Sequence, residues 1–337
     1  AGGFAALWGS LTSSQLQLSS LQAVDLDGDG RDDLVWWDEQ NGLPGSTHVR
    51  VAFSHELGLP TMVEVYSTTD TVLSTGSGDW NDDGLPDLAV GVAGNLFDDQ
   101  IVMLFGTGGE SLAGSLEVRP GWSPRSLATA DLDGDGDDDM VVAGSALTAV
   151  LLQDDAGGFG QLSVEGAFQL GWLALADMDG DGPLDLVETH LTTSSQVSIR
   201  AGLGDGTFDA PLSVDLGTPL KRLAVGDLDM DGWSDVVVTS GTPGTFVLMG
   251  AGSGLTPSAP VVSTDPARAV ALAALDGDGV LDLLVVTDAP GLDRLEASPG
   301  LGDGTFGPAV LHDVGDNAGI FVPPGGDLAV DDLDGDG

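Results

Sequence analysis

The sequence contains no cysteine, one lysine and one tyrosine among its 337 residues. Without cysteine, the chain can form neither disulfide bonds nor thiolate metal sites. No apolar run approaches the ~18 residues that a membrane-spanning helix needs. Nine basic residues oppose 54 acidic residues, which gives a formal net charge of −45. Such a charge repels phosphate groups and argues strongly against nucleic acids and anionic membrane surfaces as partners.

The acidic residues are chosen and placed unevenly. Of the 54, 46 are aspartate and eight are glutamate. A halophile-type acidic coat would use both residues and spread them over the surface, whereas most of these aspartates fall in seven short loops. The distribution therefore favours acids that serve a local purpose. The hydrophobic content of 42% is sufficient for a packed core.

One loop recurs along the chain with the pattern D-x-D-x-D-G-x-x-D, and such internal repeats indicate a repeat architecture. The five complete copies have side-chain oxygens at positions 1, 3, 5 and 9, supplied by Asp25, Asp27, Asp29 and Asp33; Asp79, Asn81, Asp83 and Asp87; Asp131, Asp133, Asp135 and Asp139; Asp177, Asp179, Asp181 and Asp185; Asp227, Asp229, Asp231 and Asp235. A sixth copy keeps Asp276, Asp278 and Asp282 but begins with Ala274, and a truncated seventh contains Asp332, Asp334 and Asp336.

Short apolar runs flank these loops and predict β-strands. Runs such as "DLAVGV" and "DVVVTS" follow the loop, are rich in Val and Leu and are too short for helices. A second pair of runs in each unit is joined by a Gly-rich turn such as "GLGDGTF". Four short strands at a period near fifty residues are typical of β-propeller blades. We predict one domain, 1–337, with repeat units at approximately 19–66, 71–119, 126–165, 171–214, 221–263 and 268–312.

The two ends of the chain supply parts of a further blade. Residues 1–10 resemble the last strand of a unit, and residues 327–337 contain a first strand followed by half a loop. We therefore predict an all-β, seven-bladed propeller whose closing blade combines both ends. Because the final loop stops before its ninth position, we expect the chain to be a piece of a longer protein.

The loop chemistry predicts calcium. Carboxylates at alternate positions of a bent loop converge on one point, and Ca²⁺ accepts six to eight oxygens in loose geometry, whereas Mg²⁺ requires stricter octahedral order. Zinc would require His or Cys, and none of the four histidines lies in these loops. Glycine at position 6 permits the sharp turn. We predict five calcium sites and a weaker sixth site at 276–282. The backbone carbonyl at position 7 would complete each of the five sites, at Arg31, Leu85, Asp137, Pro183 and Trp233.

Two other structures could account for such loops. An acidic hairpin turn is the first, since Asp-Gly is common in hairpins. Four side-chain oxygens within nine residues repel one another without a cation, however, and five repetitions favour metal binding. The EF-hand is the second, but it requires flanking helices and a Glu at position 12. Only Glu188 matches that position and the flanks are strand-like, so we reject the EF-hand.

The segments "DLDGDGRDDLVWW", "DLDGDGDDDMVVAG" and "GLGDGTF" resemble the FG-GAP/VCBS repeats of integrin α-subunit propellers and many bacterial extracellular proteins. The resemblance extends over essentially the whole chain. It implies a seven-bladed propeller with Ca²⁺ in the hairpin between the first two strands of a blade, held by the residues named above. Departures occur at Asn81, Asp82 and Met230, which should be tolerated, and at Ala274, which weakens its site.

The expected function is a non-enzymatic, calcium-stabilised adhesion or recognition module for a protein or a glycan. We expect it to be secreted or at the cell surface, where calcium is abundant enough to fill such sites. One alternative is a lectin, because tryptophans are available at Trp8, Trp36, Trp37, Trp80, Trp122, Trp172 and Trp233. Another is the non-catalytic propeller of a larger secreted hydrolase or lyase.

An enzyme is disfavoured, and the binding surface is expected on one face. His48, His55, His190 and His312 fall in different repeats without shared context. The face opposite the calcium loops carries the irregular segments 38–47, 93–99, 120–125 and 313–326. Their variable length, together with Trp122, Arg125 and Phe321, predicts that this face binds the partner.

Overall fold

The computed structural model describes residues 16–40, 47–55, 60–94, 98–144, 147–154, 157–164, 170–190, 195–251, 254–257, 261–289, 292–314 and 328. These residues form antiparallel strands that are arranged as the blades of a β-propeller. None of them belongs to a helix that is long and apolar enough to cross a membrane.

The first three blades contain four strands each, paired in sequence order. Blade 1 consists of β1 (Leu16–Val24), β2 (Asp33–Gln40), β3 (Thr47–Phe53) and β4 (Thr61–Thr68). Blade 2 consists of β5 (Thr71–Gly78), β6 (Asp87–Ala93), β7 (Gln100–Gly106) and β8 (Leu112–Val118). Blade 3 consists of β9 (Pro124–Ala130), β10 (Asp139–Gly144), β11 (Thr148–Gln153) and β12 (Phe159–Val164).

The next three blades repeat this order, and one long strand joins the last two. Blade 4 consists of β13 (Leu170–Ala176), β14 (Asp185–His190), β15 (Gln196–Arg200) and β16 (Leu212–Asp215). Blade 5 begins with β17 (Leu220–Gly226), β18 (Asp235–Ser240), β19 (Pro243–Gly250) and β20 (Leu255–Pro257). The long strand β21 (Val261–Ala273) pairs with β19 up to Pro266 and from Ala267 onward opens blade 6. Blade 6 continues with β22 (Asp282–Ala289), β23 (Leu292–Ser298) and β24 (Val310–Val314).

The prediction of an all-β propeller with four-stranded antiparallel blades is confirmed, and six blades lie within the described residues. The predicted seventh blade falls on 1–10 and 327–337, of which only Leu328 is described. Leu328 packs against the hydrophobic core of blade 6. A closing blade built from both ends therefore stays a prediction.

The hydrophobic core lies between the blades. Every residue of β10 and β18 is buried, because the second strand of a blade has neighbouring blades on both faces. The fourth strands lie outermost, and β16 is largely exposed. Residues of two adjacent blades form each main cluster, as Val51 and Val90 do between blades 1 and 2. This arrangement explains the runs of Val and Leu that follow each loop.

The first strands line a central channel. Neighbouring first strands contact one another in the order β1, β5, β9, β13, β17 and β21. The blades converge closely here, so that a Cβ on Gly76 of β5 would lie 3.4 Å from the Cβ of Leu127 on β9. The small residues of the first strands thus fit the narrow end of each blade.

Candidate metal centre

The six described loops form the hairpins between the first and second strands of their blades. The glycine at position 6 has φ between +82° and +106° in every copy, at Gly30, Gly84, Gly136, Gly182, Gly232 and Gly279. An L-residue with a side chain rarely adopts this conformation. The structure therefore accounts for the glycine that the pattern requires.

The carboxylate at position 1 organises the turn. In the first loop, Asp25 accepts hydrogen bonds from the amides of Gly28 and Gly30, both at 2.8 Å. Asp131 and Asp177 bind the corresponding amides of their loops. A carboxylate has about four acceptor positions, so these bonds leave capacity for a cation.

The carboxylates at positions 3 and 5 each accept the amide two residues ahead. The amide of Asp29 donates to Asp27 at 3.2 Å, and the amide of Arg31 donates to Asp29 at 3.0 Å. The amides of Leu85, Asp137 and Trp233 make the same bond to position 5 of their loops. Pro183 has no amide hydrogen and cannot make it.

Four loops bring three carboxylates together closely enough to hold one metal ion. In each group, one oxygen per residue lies within 4.8 Å of the oxygens of the other two. The groups are Asp25, Asp27 and Asp29; Asp131, Asp133 and Asp139; Asp177, Asp179 and Asp185; Asp227, Asp229 and Asp235. All donors are hard oxygens, which fits a cation such as Ca²⁺.

The second and sixth loops do not bring three acidic residues so close, among the residues described. The second loop has Asn81 at position 3, and this amide oxygen accepts the amide of Asp83 at 3.0 Å, as an aspartate does elsewhere. The sixth loop has Ala274 at position 1, which cannot bind the amides of the turn. Asp276 and Asp278 retain their local bonds. The sixth loop therefore has the smaller ligand set.

The aspartate at position 9 connects the loop to the body of its blade. Its Oδ2 accepts the amide of position 2, and its Oδ1 accepts an amide just beyond the third strand or at that strand's end. In blade 3, for example, Asp139 binds the amides of Leu132 at 2.8 Å and Gln153 at 2.9 Å. The same pair of bonds is made by Asp33, Asp87, Asp185, Asp235 and Asp282. Position 9 thus has a structural role that the pattern alone did not reveal.

A close approach of two backbone segments accompanies this connection. At the end of β15, a Cβ on Gly202 would lie 2.2 Å from the carbonyl oxygen of Leu184, the residue before Asp185. The equivalent position is also glycine in blades 2, 5 and 6. This recurring glycine at the end of the third strand is the sequence signal that could have predicted the hydrogen bond between that strand's end and the aspartate at position 9.

Burial raises the pKa of the position-9 carboxyls. The pKa of Asp33 is raised to about 7, and those of Asp87 and Asp139 to about 6. Desolvation is the main cause, the neighbouring loop carboxylates add to it, and the two amide bonds oppose it. The pKa values of Asp185 and Asp235 are raised for the same reasons. A cation among these groups would favour their ionised forms.

The "GLGDGTF" turns lie on the same face as the acidic loops. The amide of Gly206 in blade 4 donates to the carbonyl of Leu132 in the loop of blade 3, at 3.1 Å. The amide of Gly304 in blade 6 makes the same contact with Leu228 in blade 5, at 3.3 Å. Each turn therefore joins its blade to the acidic loop of the preceding blade.

The residue at position 2 anchors each loop between blades. Leu26, Trp80, Leu132, Met178 and Leu228 belong to the clusters between neighbouring blades and are at most 6% exposed. Leu275 in the sixth loop is instead 51% exposed. It occupies the position that the predicted seventh blade would cover.

Met230 carries backbone strain at position 4, where most copies have glycine. Its φ is +59°, and its side chain is directed toward Gly302. We expect Met230→Gly to be more stable than Met230→Ala by about 1 kcal/mol, because both variants lose the side chain and only alanine keeps the left-handed strain. Urea denaturation of both variants measures this difference, and equal midpoints would contradict it.

The residues predicted for the opposite face differ in their surroundings. Trp122 is buried and lies against Gly144, where a Cβ would overlap its ring, so it packs inside blade 3. Arg125 is exposed at the start of β9. Trp172 is half-buried, and the Arg222 guanidinium lies 3.2 Å from the centre of its ring.

The remaining aromatic residues pack against other parts of the protein or lie outside the described residues. Trp36, Trp37 and Trp80 are buried. Trp233 packs on the loop of blade 4, where a Cβ on Gly180 would lie 2.7 Å from its ring. Trp8 and Phe321, like Asp332, Asp334 and Asp336, lie outside the described residues, as does most of segment 313–326.

Comparison with known families and structures gives a consistent result. The FG-GAP-like repeat matches residues 79–142, 131–188, 177–238 and 227–285, which together extend over 207 of the 337 residues. No related sequence is found among curated proteins.

Several solved structures are similar in fold. One is an Agrocybe aegerita lectin that recognises non-reducing terminal N-acetylglucosamine, with a TM-score of 0.61 and 19% identity over 90% of this chain and 81% of the lectin chain. Another is BBS1N in complex with ARL6DN, with a TM-score of 0.57 and 14% identity over 84% of this chain and 80% of that one. The Dos1 propeller has a TM-score of 0.52 and 11% identity over 84% and 67%. At these identities the likeness concerns the fold alone.

Proposed function

The chain belongs to the FG-GAP-like repeat family, and from this premise we propose that it is a calcium-binding, non-enzymatic propeller that recognises a protein or a glycan outside the cell. The observation that carries the proposal is the set of four carboxylate groups whose oxygens lie within 4.8 Å of one another. Carboxylates this close repel one another unless protons or a cation neutralise them.

Calcium is the cation that best fits the donors. Carboxylate oxygens, together with backbone carbonyls and water, are the usual ligands of Ca²⁺, which tolerates irregular geometry. The described loops contain no histidine, which zinc would require in a chain without cysteine. The second loop would use Asn81 as a neutral oxygen ligand, and the sixth would bind more weakly because Ala274 supplies none.

The calcium requirement supports a location outside the cell. Extracellular modules bind Ca²⁺ with dissociation constants of about 10⁻⁴ to 10⁻³ M. In a compartment with little calcium, sites of this affinity would stay largely empty and the carboxylates would repel one another. A secreted or surface-attached protein meets the condition under which these loops contribute to stability.

A binding role is favoured over catalysis by the surroundings of the histidines. Two described histidines are hydrogen-bonded to a hydroxyl at 2.9 Å, His190 to Ser198 and His55 to Thr61. Ser198 is only 1% exposed and bonds to Ser213 in addition, so a substrate would not reach its hydroxyl. If the propeller belongs to a larger secreted hydrolase or lyase, we expect the catalysis to occur in another domain.

Proteins and glycans are both supported as partners by similar folds. One similar propeller recognises N-acetylglucosamine and another is complexed with a protein partner. Surfaces of this fold thus serve both kinds of recognition, and the face opposite the acidic loops is the one we assign to the partner.

Calcium titration of the metal-stripped protein tests the proposal. Isothermal titration should show at least four sites per chain, and Asp131→Asn should remove one of them, because it makes the ligand at position 1 neutral, where all five complete loops have aspartate. Asp215→Asn provides the matched control, since it changes the same charge on the opposite face, where Asp215 caps a turn. The absence of calcium binding, or an equal loss in both variants, would contradict the proposal.

A further inference from the structure

The six first strands share an irregularity at the end remote from the acidic loops. Each has a shift in register near the start of its pairing with the second strand, as between Leu170 and Leu173 in β13 and between Leu220 and Leu223 in β17. The other four shifts lie at 18/21, 72/74, 124/126 and 267/269. A β-bulge of this kind redirects the side chains of the residues it contains.

Basic residues are concentrated in these bulges. Arg125, Lys221, Arg222 and Arg268 all lie between the residues that flank a register shift. They are four of only nine basic residues in a chain of net charge −45. The first strands β9, β17 and β21 therefore carry positive charge at the same end of the channel.

The channel between the first strands contains a cleft of about 320 Å³ that reaches this end. Arg222 and Trp172 line it and stack on one another. Gln22, Ser126 and Trp37 contribute a side-chain amide, a hydroxyl and a second indole. None of the described lining residues is acidic, whereas two other clefts in the described part of the chain include aspartates.

The arrangement of Arg222 suits a carboxylate. A guanidinium that stacks on an aromatic ring uses its flat face, and its N–H donors point outward in its own plane, where a carboxylate can accept two of them. Charge-assisted bonds of this type are about twice as strong as neutral ones. Gln22 also lines the cleft, and its Oε1 has no hydrogen-bond partner among the described residues.

The large negative charge of the chain does not prevent an anion from binding here. Asp177, the first acidic residue of its loop, follows Trp172 by five residues along β13, which corresponds to about 17 Å of extended strand. At physiological ionic strength the Debye length is about 8 Å, so the loop charges are largely screened at this distance. Calcium in the loops would reduce their charge further.

From these observations we propose that the end of the channel bounded by Arg125, Trp172, Lys221, Arg222 and Arg268 binds a saccharide that carries a carboxylate group. The basic residues would bind the carboxylate, and the hydroxyl and amide groups of the cleft would bind the sugar hydroxyls. This inference rests on the proposed recognition function and adds the class of ligand and its location.

The test compares methyl β-D-glucuronide with methyl β-D-glucoside in millimolar calcium, using saturation-transfer NMR titrations. We expect the glucuronide to bind about tenfold more tightly, because only it has the carboxylate. Arg222→Gln should abolish the preference, and Arg222→Lys should reduce it, because lysine keeps the charge but loses the planar donor pair. Arg119→Gln, which removes the same charge from an exposed position, should bind as the unaltered protein does.

One further variant and one further ligand test the same site. Arg125→Gln alters an exposed side chain and should weaken glucuronide binding even if the Arg222 variants fold poorly. Equal binding of both sugars, or an equal loss in Arg119→Gln, would overturn the proposal. Binding of an oligoglutamate peptide without binding of the glucuronide would also overturn it and would identify an acidic peptide instead. A normal calcium titration alongside a negative sugar result would leave the calcium function intact.

Discussion

Removal of calcium is expected to lower the melting temperature of the protein by about 10 °C. With calcium at ten times the dissociation constant, each site adds about 1.4 kcal/mol to the free energy of unfolding. Five such sites contribute about 7 kcal/mol, which is comparable to the whole net stability of an ordinary domain. An unfolding entropy of about 2.1 cal/mol/K per residue converts this free energy into the expected shift. Differential scanning calorimetry in millimolar calcium and in excess EGTA measures it.

The effect of calcium on the melting temperature should depend on pH. In the metal-free protein, the pKa values of Asp33, Asp87 and Asp139 are raised to about 7, 6 and 6, above the value near 4 of an unfolded aspartate. The folded chain then holds more protons than the unfolded chain. The stabilisation that protonation of these three carboxyls gives to the folded chain is complete at about pH 4. It is lost as the pH rises through 6 to 7. Calcium would bind the ionised carboxylates, so its own contribution to stability should grow over the same pH range.

The calcium-dependent difference in melting temperature should therefore widen from pH 5 to pH 8. Magnesium at the same concentration serves as a control for ionic strength and divalent charge, and we expect it to restore much less of the stability. An unchanged melting temperature in EGTA, or a difference that narrows with rising pH, would refute the calcium proposal.

Replacement of a position-9 aspartate is expected to destabilise the fold even without calcium. Asp139→Ala removes the acceptors of two buried amides, those of Leu132 and Gln153. A buried polar group left without a partner costs about 1–3 kcal/mol, so we expect a loss of about 3 kcal/mol or more. Urea denaturation in EGTA measures this loss free of any contribution from metal binding.

Asp133→Ala is the matched control in the same loop. Asp133 accepts one long bond, 3.3 Å from the amide of Asp135, and its pKa is raised by desolvation and by the nearby Asp135 carboxylate. In EGTA its removal should cost little, because it relieves repulsion, whereas in calcium it should lose about 1.4 kcal/mol, the contribution of one site. If Asp139→Ala cost as little as Asp133→Ala in EGTA, the two amide bonds of position 9 would not contribute to stability and this prediction would be wrong.

The candidate site could be predicted from the sequence to the extent that it is local. The turn depends on Gly136 at position 6 and on bonds between residues two to five positions apart, such as Asp131 to Gly136. A nine-residue pattern contains all of that information. It does not contain the bond from Asp139 to the amide of Gln153, because that partner lies fourteen residues away across the blade. The acceptor role of position 9 therefore became visible only in the folded chain.

The sequence by itself determined the propeller blades and the acidic loops with their side-chain oxygens. Alternation of apolar residues, glycine at fixed positions and a period near fifty are short-range properties, and strands and turns follow from them directly. The tertiary structure decided which side chains meet across blades. Trp122 and Trp172 both follow a glycine near the start of a first strand, yet Trp122 is buried in its own blade and Trp172 stacks on Arg222 of the next blade. Bulges and contacts between neighbouring blades cause this difference, and they depend on residues far apart in the chain.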